Sequence, residues 1–157
     1  MTPLAGLSPG ERILRSWPAR SPGDRAGRPV SGEISLTNHR FLFITRVGIL
    51  GGSRSVTYDR SVPLETIGGA APHRTEMRIG YGDRMILEGV DIAGATYELG
   101  REGSSRSVLT EIASARRARR NELGLPEDIT ACRSCGRWSA FGTTLCESCA
   151  RADPVSR

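Results

Sequence analysis

At 157 residues the chain has room for one domain of ordinary size and a small appendage. Its formal net charge is +5 and all 22 basic residues are arginine. A chain without lysine has no Schiff-base lysine, no lysine general base and no Gly-Lys-Ser/Thr phosphate loop, which excludes several enzyme classes together.

Aromatic residues make up 5%, thin for a protein that stacks nucleic-acid bases, while 19 glycines and nine prolines point to short strands and many turns. Residues 1–10 show no charged-then-apolar signal pattern, and no apolar run approaches the roughly 18 residues of a membrane span. The expectation is a cytoplasmic protein, free or peripheral at a membrane surface.

Residues 12–17 read as a strand that ends at Pro18, and residues 20–29 as a loop of Pro, Gly and Arg. Gly32-Glu33-Ile34-Ser35-Leu36-Thr37 alternates polar and apolar, as a strand with one buried face does. Asn38-His39 is turn-like, and residues 40–47 form the most hydrophobic strand, so the two strands predict an antiparallel hairpin. Alternation places Phe41 and Phe43 on one face, read as the core face, and Leu42 and Ile44 on the other. Gly48-Ile49-Leu50-Gly51-Gly52 reads as a hairpin loop, because no lysine or dinucleotide-type helix follows it. Further strands are expected at 55–58, opening at 63–67, at 75–81 and 84–88 across a Gly82-Asp83 turn, and at 95–99. Asp59 and Asp91 read as strand-end residues, and His39 and His73 as turn or surface histidines.

After Gly103 the apolar period changes. Val108, Leu109, Ile112 and Ala113 or Ala115 recur at spacings of three and four, marking one helix face. Ser104 or Ser105 caps its start, and Gly124 followed by Pro126 stops it. Arg116, Arg117, Arg119 and Arg120 lie in its last third, where positive charge complements the helix dipole. Their functional reading is a contact for an anionic partner: a lipid headgroup, an acidic protein or a nucleic acid.

Residues 32–43 resemble the hairpin of GRAM-type, pleckstrin-homology-like domains, which read "G-x-L-x-L-T-N-x-R-L-x-F" there. Val62-Pro63-Leu64-Glu65-Thr66-Ile67 is similar to their "I-P-L-x-x-I" strand, and a closing amphipathic helix fits as well. The resemblance covers about residues 8–120. It implies a mainly β fold, a bent antiparallel seven-stranded sheet or barrel capped by the C-terminal helix. It also implies a role in protein or lipid recognition, with no catalytic centre.

Cys132 and Cys135, then Cys146 and Cys149, form two Cys-x-x-Cys pairs separated by ten residues. Two intervening residues let one tight turn aim two thiolates at one metal, and two such knuckles supply a closed tetrahedral shell. A closed shell is structural, since catalytic zinc keeps a position for water or substrate. The reading is one structural Zn2+, with a rubredoxin-like iron site, a redox pair or a disulfide as the alternatives. Gly136 suits the left-handed turn that ends a knuckle. A segment this short has little core, so the metal would supply its folding free energy, and replacing Cys135 or Cys146 by Ser should unfold 131–150 while sparing 8–120.

The segment is similar to the short zinc ribbons appended to bacterial and archaeal proteins. It also shares its cysteine spacing with the ubiquitin-binding zinc fingers found beside some pleckstrin-homology-like domains. It departs from those fingers at Thr130, Gly136-Arg137 and Ser139, which argues against ubiquitin binding. The expected organisation is a domain at 8–120, a linker at 121–130 and a zinc ribbon at 131–150. The expected function is non-enzymatic binding, to a protein partner first and an anionic membrane surface second, with no small-molecule substrate. The alternative is a nucleic-acid-binding zinc-ribbon protein.

Overall fold

The computed structural model describes residues 6–21, 29–48, 54–100 and 103–152, with the backbone alone for 46–48 and 54–59. Most of the loops expected at 20–29 and 48–52, and of the tail beyond 151, lies outside the described residues.

The alternation at 32–37 and the apolar run at 41–44 build the central hairpin. β2 (Val30–Thr37) pairs antiparallel with β3 (Arg40–Gly48), in a register that sets Leu36 opposite Phe41 and Ile34 opposite Phe43. β1 (Ile13–Ser21) lies on the other side of β2, and β4 (Arg54–Pro63) on the other side of β3. A second meander follows: β5 (Ala70–Ile79), β6 (Asp83–Ile92) and β7 (Ala95–Leu99). β7 returns to pair with β1, so one seven-stranded antiparallel sheet runs β4-β3-β2-β1-β7-β6-β5. Among the described residues no pairing joins β4 to β5, so the sheet is open rather than a closed barrel.

The sheet is nonetheless bent, and the aromatic contacts require it. β3 and β7 stand three strands apart, about 14 Å along a flat sheet. The Phe43 and Phe41 rings lie 5.0 and 5.5 Å from the Tyr97 ring. Such contacts form only if the first four strands fold over the last three. Phe41 and Phe43 belong to the main buried cluster, as strand alternation predicts, while Leu42 and Ile44 are buried outside it. The helix α1 (Ser105–Glu122) closes this core with Val108, Leu109, Ile112 and Ala115. Ser104 caps its first turn, and the Leu125 amide reaches back to the Arg120 carbonyl at 2.8 Å. Gly124, at φ +68, takes the left-handed position this C-terminal cap needs.

Four local expectations are corrected. Pro18 sits inside β1 rather than ending it: its carbonyl accepts from the Gly100 amide, so its missing N–H faces β7, where that ladder stops at Ala19. Leu64–Thr66 is a single 3-10 turn, not the opening of a strand. Buried Leu64 and Ile67, three residues apart, cannot share a strand face but do share a side of such a turn. Asp59 is not at a strand end but is the extra residue of a bulge within β4. The β5–β6 turn is Gly80-Tyr81-Gly82, with Asp83 already paired to Ile79.

Thr37, Asn38 and Arg40 turn out to be a clasp on the segment before β1. Arg40 grips Glu11 with two bonds of 2.8 and 3.1 Å, and the Thr37 hydroxyl donates to the same carboxylate at 2.7 Å. Asn38 accepts from the Arg12 amide at 2.7 Å and donates to the Gly10 carbonyl at 3.1 Å. Burial pushes the Glu11 carboxyl up, but Arg40, the Ser8 amide and Thr37 outweigh it and hold it at about 2. Its ordinary value is 4.5, so the pKa is depressed on folding. The stabilisation is present above that value and is lost as pH falls toward the folded value. Glu11→Gln is therefore expected to lower stability at neutral pH by roughly 3 kcal/mol. The difference from wild type should shrink as urea midpoints are measured from about pH 5 down to about pH 2.

Candidate metal centre

The segment after α1 is built around its two cysteine pairs. β8 (Ile129–Ala131) pairs antiparallel with β9 (Trp138–Ala140), and α2 (Glu147–Ala152) follows Cys146. Between β8 and β9 the first knuckle closes on two backbone bonds of 2.8 Å, Gly136 N–H to the Cys132 carbonyl and Cys132 N–H to the Arg137 carbonyl. Gly136 stands at φ +82, as its place after the first pair predicts. A second constraint could not be read locally. A Cβ at Gly136 would lie 3.0 Å from Arg106 Cα and 3.1 Å from the Arg106 carbonyl oxygen on α1.

The knuckles bring all four sulfurs of Cys132, Cys135, Cys146 and Cys149 within 4.8 Å of one another, with Cys135 and Cys146 at 3.6 Å. Four sulfurs set tetrahedrally about an ion at about 2.3 Å stand about 3.8 Å apart, so the cluster fits a tetrahedral thiophilic ion. Cys132 and Cys146 are buried, and Cys135 and Cys149 half-buried.

The electrostatics point the same way. Burial pushes the Cys132 thiol up, yet the amides around it, from Cys135, Cys146 and Ser134, bring it down to about 6. Burial then drives Cys135 up to about 12, and its three neighbouring thiols add to the effect. Hydrogen bonds from Ser134 and Cys135 lower the Cys149 thiol, but Cys146, burial and Cys132 together outweigh them and leave it raised. Crowded like charges resist ionising together, and a divalent cation is what lets a whole cluster do so.

The four arginines expected to meet an anionic partner are not brought together as one open surface. Arg116 is 2% exposed. Its guanidinium bonds Asp128 at 2.6 and 3.2 Å and the Ile67 carbonyl at 2.9 Å, and it lies 5.7 Å from the Trp138 ring centre. That grip holds the Asp128 carboxyl below its ordinary value. Arg117 pairs with Glu127, and Arg119 with Glu122 at 3.3 Å and Glu65 at 3.8 Å. Arg120 donates to the carbonyls of Pro126 and Glu65 at 3.0 and 3.2 Å and stands 3.7 Å from Asp128.

Trp138 is the site residue that sequence reasoning missed. It is 8% exposed, belongs to the main core cluster and donates its indole N–H to the Leu109 carbonyl at 3.2 Å. The available signal was a large aromatic in a segment too short to bury it alone. His73 and Asp91, read separately along the chain, meet across β5 and β6 at 3.3 Å, and Asp91 also accepts from Thr96. Among the described residues no helix is long and apolar enough to cross a membrane. No protein-family model matches the chain, and no curated protein matches it.

Proposed function

We propose that this chain is a non-enzymatic binding protein, a GRAM-type, pleckstrin-homology-like module whose ribbon is held by one structural zinc ion. The observation that carries the reading is the four-cysteine cluster, with all sulfurs within 4.8 Å of one another. Four protein ligands fill a tetrahedral shell and leave no position for water or substrate, so the ion would hold the ribbon and do no chemistry. Thiolate donors in that geometry favour zinc, with iron the closest competitor. The pleckstrin-homology-like part rests on the four-strand and three-strand meanders, the helix that follows them and the Thr37-Asn38-x-Arg40 hairpin.

A protein partner is favoured over a membrane because Arg116, Arg117, Arg119 and Arg120 already engage Glu65, Glu122, Glu127 and Asp128. Nucleic acid is disfavoured because the ribbon's Trp138 is turned into the core and withdrawn from base stacking. The test offers the metal-loaded chain phosphatidylserine vesicles, a random duplex and native lysate in parallel, at about 100 mM salt. The expected result is one protein recovered in stoichiometric amount, with neither vesicles nor duplex retained. Retention of vesicles would replace the protein partner by a membrane. Retention of duplex would move the chain to the nucleic-acid-binding class.

A further inference from the structure

The ribbon has almost no interior of its own. β8 and β9 are three residues each and α2 is six. Among the described residues from 129 onward, the buried ones are Cys132, Gly136, Trp138 and Cys146. Cys132 and Cys146 belong to the cysteine cluster, Gly136 has no side chain, and Trp138 is anchored in the core of the large sheet.

The anchoring is specific and lies along one stretch of α1. Gly136 leaves no room for a side chain against the Arg106 backbone, the Trp138 indole bonds the Leu109 carbonyl, and the indole ring lies against the Arg116 guanidinium. Asp128, directly before β8, takes the other side of that guanidinium. Every one of these contacts depends on the first knuckle and the β8–β9 pair being held in shape. Neither a hairpin this short nor a single turn of helix persists alone in water.

We propose that the ribbon is a metal-dependent latch on α1. With the ion bound, Trp138 and Asp128 seal the helix between Arg106 and Arg116. With the ion lost, the knuckles open, Trp138 leaves the core, and Arg116 is left without its carboxylate and its ring. The helix that closes the sheet then loosens, while the β2–β3 hairpin, which the ribbon does not touch through any of these contacts, keeps its structure. The inference rests on the metal reading and extends it from a structural ion to control over the domain that carries it.

The test uses the full chain under reducing conditions. The ion is removed with a chelator, its loss is confirmed by elemental analysis, and Zn2+ is then returned. Trp138 emission is followed in a Trp17→Phe background, and amide exchange is followed along α1 and the β2–β3 hairpin. The expected result is a reversible red shift of Trp138 with about tenfold or more faster exchange over 106–116, and a much smaller increase at Leu36, Phe41 and Leu42. Trp138→Ala should speed exchange over 106–116 while the chain still holds its ion. A chain that loses its ion with unchanged emission and unchanged α1 exchange would overturn the latch and leave the metal reading standing. Equal acceleration in the β2–β3 hairpin would also overturn it, because the ion would then support the whole fold. A chain that neither carries nor takes up an ion would remove the metal reading and the latch together.

Discussion

Phe41→Ala and Phe43→Ala should each lower stability by about 3–5 kcal/mol, read as a fall in the urea midpoint at unchanged slope. The two rings are 0% and 2% exposed and meet Tyr97 from across the bend of the sheet. Truncating either leaves a cavity where the four-strand and three-strand halves touch, and the surrounding strands can collapse into it only in part. A domain of this size holds about 5–15 kcal/mol in all, so either change should leave it unfolded or nearly so. Near-neutral results at both positions would mean that the faces of β3 are assigned the wrong way round.

Cys135→Ser or Cys146→Ser should have the second large effect, confined at first to the ribbon. Either change removes one of the four candidate ligands, and metal binding to such a segment supplies folding free energy of order 10 kcal/mol or more. The remaining thiols should become fully reactive toward a thiol reagent, and residues 129–150 should become protease-sensitive. From sequence alone the large domain was expected to be indifferent to this change. Its shared contacts at Trp138 and Arg116 now predict a lower urea midpoint for the sheet as well. A variant with an unchanged midpoint and shielded thiols would show that the ribbon does not need its ion.

What could be read along the chain was local. The β2–β3 hairpin, β7, the apolar face of α1 and its caps follow from alternation, a 3.6 period and the residues Ser104 and Gly124. The cysteine cluster was legible because ligand spacing is itself local: each pair needs only its own turn. What escaped was set by partners far along the chain. Arg40 was legible as the start of a strand and as part of the hairpin pattern, but its partner Glu11, 29 residues away, was not. Arg116 looked like part of a basic surface, but Ile67 and Asp128 hold it inside. Leu64 and Ile67 carried a readable sign, a spacing of three, that a strand reading could not accommodate. Trp138 was visible as a residue but not as an anchor, because its site is made by α1 rather than by the ribbon.

Cys132, Cys135, Cys146 and Cys149 lie close enough to share one metal ion, and we propose that this ion is zinc and that it shapes the ribbon. The most direct measurement is the metal content of the purified full-length chain after gel filtration, by elemental analysis, alongside the reactivity of its thiols. One zinc per chain is expected, retained through the column, with all four thiols protected until a chelator is added. A metal-free chain with intact, reduced thiols and a ribbon that still resists proteolysis would contradict it.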